Sequence, residues 1–128
     1  MKDRAEAVQG WVRKAESDLI ALDATLNAGA LDAACFHAQQ AAEKYLKAFL
    51  FHSGVEFPYT HNLAKLLDLC AGTDPSFRSL LSAVEPLTPY AVEMRYDAEF
   101  WPEAPVAEDA RSSALAVRDF VLARLPDQ

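Results

Sequence analysis

The chain has 128 residues, 52% of them hydrophobic and 24% charged, which suits one domain with its own core and excludes a disordered polymer. Its net charge of −7 disfavours broad attachment to phosphate backbones, because such contacts need clustered Lys and Arg. No apolar run reaches the roughly 18 residues of a membrane span and Met1 to Gly10 holds no leader-like apolar stretch, so a cytoplasmic protein without membrane attachment is expected.

In chain order, Val8, Trp11, Ala15, Leu19, Leu22 and Leu26 recur at helical spacing and predict a first helix from Asp3 to Asn27, closed by Gly29. Leu31 to His52 is apolar nearly all round and rich in Ala, which predicts a central second helix. Part of so uniform a surface is expected to stay exposed in a monomer and be covered by a symmetric copy, giving a homodimer. Ser53-Gly54 ends that helix, and Thr60 reads as the N-cap of a third one carrying Leu63, Leu66, Leu67 and Cys70.

A fourth helix is expected from about Ser76 through Val84, broken at Pro86 and Pro89, with Tyr90 to Tyr96 resuming as helix. The fifth runs from about Ala107 to Leu125. No strand pattern competes, so the expected fold is all-α: an up-and-down bundle of four or five helices forming a single domain over residues 1–128. Cys35 and Cys70 lie among apolar residues outside any CxxC spacing and read as core thiols, not as a disulfide or metal site.

Several polar residues sit where apolar ones are expected. Asp18 borders the apolar stripe of the first helix, and Gln39, Glu43 and Lys47 follow one another by single turns along the second. They form either an internal hydrogen-bonding strip or the wall of a nucleotide or partner site. His61 is placed to hydrogen-bond a loop carbonyl or a carboxylate at the start of the third helix, or to act as a general base. Arg95 offers a two-pronged donor for a phosphate or carboxylate, or else an ion pair to Asp18 or Glu43. Between Glu93 and Asp109 six acidic residues face one basic residue, a field that repels RNA. There is no glycine-rich phosphate loop and no HExxH, GxSxG or CxxC, so no cofactor or metal is expected.

The blocks DAACFHAQQAAEKYLKAFLF over residues 32–51, Thr60-His61-Asn62-Leu63 and Met94-Arg95-Tyr96, together with Trp11, Ala15, Asp18 and Leu19, resemble the HEPN family across most of the chain. The resemblance implies a helical bundle that dimerises, commonly encoded beside a minimal nucleotidyltransferase and often paired with it as toxin and antitoxin. Many members are metal-independent ribonucleases in which an Arg is followed after four to six residues by a His. Arg95 matches that Arg and Asp97 the nearby polar position, but residues 96–106 contain no His. The expectation is therefore a noncatalytic dimer that partners a nucleotidyltransferase and binds a nucleotide through Arg95, Tyr96, Glu43, Lys47 and Asp18. The alternative is a ribonuclease toxin with an atypical site of Arg95, Asp97 and His61.

Overall fold

The computed structural model describes residues 3–126. Helix α1 spans Arg4–Ala28, α2 Leu31–His52, α3 Leu63–Thr73, α4 Leu81–Val84 and α5 Ala104–Leu122. Two 3₁₀ segments, Pro75–Leu80 and Glu85–Tyr90, flank α4, and no strand occurs among the described residues. The expected all-α bundle is the one found, and the buried apolar residues of its helices form one cluster.

Local chemistry sets the first hairpin. Asp3 caps α1 by accepting the Glu6 amide at 2.8 Å. At the other end Gly29 takes φ +81°, which lets its own amide reach Leu26 and the Ala30 amide reach Thr25. The chain then reverses within two residues, and α1 packs along α2.

Helix α2 is the hub, touching α1, α3, α5 and the second 3₁₀ segment. Ala34, Ala38, Ala41, Ala42 and Ala48 are all fully buried, and their small side chains let neighbouring backbones come close. Larger groups fill the space between: Tyr45, Leu46 and Leu50 from α2, Leu63 and Leu66 from α3, and Val117 and Val121 from α5. The apolar surface that α2 leaves open is narrower than expected: its own chain covers most of the helix, and Phe51 is its only large apolar residue that is exposed.

Three local expectations are also corrected. Asn62, not Thr60, caps α3 by accepting the Lys65 amide, while Thr60 accepts the Asn62 amide in a tight turn just before. The fourth helix is mostly 3₁₀, with one α turn between Pro75 and Pro86, and residues 91–96 form successive turns instead of a resumed helix. Helix α5 starts at Ala104, three residues early, because Pro105 in its first turn has no intrahelical amide bond to lose.

Cys35 and Cys70 are buried free thiols. Burial pushes the Cys35 thiol up to about 11, with Asp32 adding to it, and burial pushes Cys70 up to about 12. Both stay protonated at neutral pH and pack as small apolar groups.

Ala38→Leu adds volume where neighbouring elements close on α2 and is expected to lower the unfolding free energy by about 1–3 kcal/mol in urea. Ala24→Leu, on the exposed side of α1, is expected to change it by less than about 0.5 kcal/mol.

Candidate functional site

Two polar clusters lie on α2, and Arg95 lies at one end of them. The first centres on Glu43, which is 3% exposed. Its Oε1 accepts from His61 Nδ1 at 2.8 Å and Gln39 Nε2 at 3.1 Å, and its Oε2 accepts from Lys47 Nζ at 2.9 Å. Gln39 also donates to the His61 carbonyl at 3.1 Å and accepts from Gln40 Nε2 at 2.6 Å. These bonds pin the segment between α2 and α3 across the face of α2.

Lys47, 5% exposed, completes this cluster. Its ammonium lies 5.6 Å from the Trp11 ring, 5.9 Å from Phe57 and 5.8 Å from Tyr59. Three negative ring faces and one carboxylate replace the water a lysine normally holds. The i, i+4 pairing of Glu43 and Lys47 was legible in the sequence, whereas the aromatic enclosure was not, because it draws on α1 and the 53–62 segment at once.

Burial alone would raise the Glu43 carboxyl. Hydrogen bonds from Lys47, His61 and Gln39, with the Lys47 charge, outweigh it and hold the group below the usual glutamate range. Glu43 is therefore an ionised acceptor at neutral pH, not a stored proton.

The second cluster centres on Asp18 of α1, which is buried, where the helical wheel placed it only at the margin of the apolar stripe. Its Oδ1 accepts from His37 Nδ1 at 3.0 Å and its Oδ2 from Lys44 Nζ. His37 and Lys44 are two turns apart on α2, so one carboxylate of α1 spans both and fixes the register of the two helices.

Arg95 pairs with neither Asp18 nor Glu43, which corrects both expected ion pairs. Its guanidinium lies over the Phe36 ring at 4.4 Å and near the Tyr96 ring at 5.6 Å. The residue is exposed and makes no ion pair among the described residues. Tyr96 is 77% exposed. Asp97 is exposed too, and its carboxylate accepts the Glu99 amide at 2.9 Å, so it shapes the turn after Arg95.

His61 is not brought to Arg95. It is held at Glu43, seven residues and about 10 Å along α2 from the Phe36 that carries Arg95. Among the described residues no group of three or more His, Cys, Asp and Glu side chains is placed to hold a metal ion. No helix among them is long and apolar enough to cross a membrane. The arrangement is an exposed cation on an aromatic shelf beside two clusters of internally paired charges. Sequence reasoning did not find the pairing of His37 and Lys44 with Asp18, because only the α1–α2 register reveals that both converge on it.

The HEPN domain family profile matches residues 8–125. Two solved structures are similar over nearly the whole chain. TT1696 from Thermus thermophilus is 30% identical with a TM-score of 0.76, covering 92% of this chain and 98% of that one. ST0689, an archaeal HEPN homologue, is 26% identical with a TM-score of 0.78, covering 97% and 98%. No match was found among the curated proteins.

Replacing Glu43 with Gln leaves the Lys47 ammonium buried without its counter-ion and is expected to cost about 3–5 kcal/mol at neutral pH. Because the folded carboxyl is depressed, its contribution is present above the ordinary glutamate range and is lost as pH falls through the folded value. Urea midpoints measured from neutral to acid pH are therefore expected to converge for the wild type and Glu43→Gln. A gap that stays constant with pH would contradict this.

Proposed function

Since the chain belongs to the HEPN domain family, we propose that it is a noncatalytic homodimer that partners a minimal nucleotidyltransferase, as in toxin and antitoxin pairs, and binds a nucleotide phosphate at Arg95. The observation that carries this reading is the presentation of Arg95, whose guanidinium lies over the Phe36 ring and forms no ion pair among the described residues. A guanidinium stacked in this way keeps its donor edges for an incoming anion.

The remaining geometry supports binding over cleavage. Phosphodiester hydrolysis without a metal needs a proton donor and acceptor beside the phosphate, a contribution of about 10²- to 10⁴-fold. His61, the one histidine of the alternative ribonuclease site, spends Nδ1 on Glu43 and lies along α2 from Arg95. The six carboxylates between Glu93 and Asp109 disfavour a polyanion such as RNA more than a single nucleotide. Exposed Ile20, Tyr96 and Trp101 supply apolar surface for a second copy or a partner.

In chelator, purified wild-type protein and Arg95→Ala are expected to leave a mixed RNA substrate equally intact. Light scattering is expected to give twice the 14.1 kDa chain mass. Co-expressed with the minimal nucleotidyltransferases of its own genome, the chain is expected to co-elute with one of them. RNA fragments made by the wild type and not by Arg95→Ala would overturn the noncatalytic reading.

A further inference from the structure

His37 stands next to Phe36 on α2, and their rings meet edge to face at 5.2 Å. Phe36 is the ring on which Arg95 rests, so one aromatic side chain touches both the guanidinium and the imidazole. His37 Nδ1 lies 3.0 Å from Asp18 Oδ1. A carboxylate only accepts, so Nδ1 carries a proton and Nε2 is the free edge of the imidazole. Nε2 has no partner among the described residues, yet Tyr45 Oη is the only buried side-chain N or O atom there without one. His37 Nε2 is therefore open to solvent.

Asp18 is clamped from its other side by Lys44, and this holds the imidazole in one orientation. We propose that His37, turned outward by Asp18, is the second anchor for the phosphates of a nucleotide whose first anchor is Arg95, and that it engages in its protonated form. This rests on the reading that Arg95 receives a phosphate.

With its only proton on Nδ1, the imidazole presents a lone pair at Nε2, which repels a phosphate oxygen. Doubly protonated, it presents an N–H donor. The charged groups facing it are Asp18 from α1, Lys44 of α2 on the same carboxylate, and Arg95 across Phe36 from the 91–103 segment. A phosphate at Nε2 is bound only by the doubly protonated ring, so binding takes up a proton and affinity falls as pH rises. Tyr96, exposed and 5.6 Å from the guanidinium, offers a flat surface for the base.

The test is calorimetric titration of ATP, and separately of inorganic tripolyphosphate, into the full chain at roughly pH 6 and roughly pH 8, on either side of the ordinary imidazole range. The wild type is expected to bind ATP about ten-fold more tightly at the lower pH. His37→Gln is expected to lose most of that preference, and His37→Lys, a permanent cation, to keep tight binding at both pH values. Ionisation of ATP itself is common to all three proteins and cancels between them. Arg95→Ala is expected to weaken binding at both pH values.

Equal binding of tripolyphosphate and ATP would support the two-cation anchor and remove the base from it. A His37→Gln protein with the wild-type affinity and pH preference would overturn the role of His37 and leave that of Arg95 standing. Failure of both ligands to bind the wild type at either pH would overturn both.

Discussion

Glu43 is a carboxylate in the middle of a helix whose other faces fill the core, and much of the structure follows from the need to keep it charged there. Taking an isolated carboxylate out of water is costly enough that the group otherwise neutralises or remains outside. Here Gln39 and Lys47 come from one turn on either side of it, and His61 comes from beyond the end of the helix. Recruiting His61 folds the 53–62 segment back across α2. That in turn places Asn62 to cap α3 and brings Phe57 and Tyr59 over Lys47. Such a cluster adds little net stability over a well-packed apolar equivalent, so its effect is chiefly to select one arrangement of α1, α2 and the connecting segment.

The division between paired and presented charge is what gives the surface its meaning. Asp18, Glu43, Lys44, Lys47 and Nδ1 of both His37 and His61 are committed to one another inside the bundle. Arg95 is committed only to aromatic faces. A proton-transfer site needs groups free to change their bonds during a reaction, and Glu43 is the opposite case. A recognition site needs a fixed scaffold and a few unspent donors, which is the part the proposed function gives to the shelf formed by Phe36, Arg95 and Tyr96.

Much of this was legible in the sequence where the signal is local. The repeat of apolar residues in α1, Gly29 at its end, and the unbroken apolar character of α2 located the central hairpin, because periodicity and the left-handed glycine act within a few residues. Pro86 and Pro89 marked a break but not what replaces the helix, since a 3₁₀ segment uses the same residues with a different hydrogen-bond span. Thr60 and Asn62 are both good caps, and the choice between them depends on where His61 is pulled by Glu43. Gln39, Glu43 and Lys47 stood out as polar residues spaced by turns on an apolar helix. His37 did not, because its partner Asp18 lies on another helix. The Arg95 stack on Phe36 was equally invisible, since it joins segments far apart in the chain.

The account turns on Glu43 and His61 acting as one unit. The most direct measurement is a double-mutant cycle in urea using Glu43→Gln, His61→Ala and the two combined. If their bond organises the segment before α3, the coupling should reach about 1–3 kcal/mol at neutral pH. Additivity to within about 0.3–0.5 kcal/mol would mean that the two residues do not depend on each other, and would contradict the account.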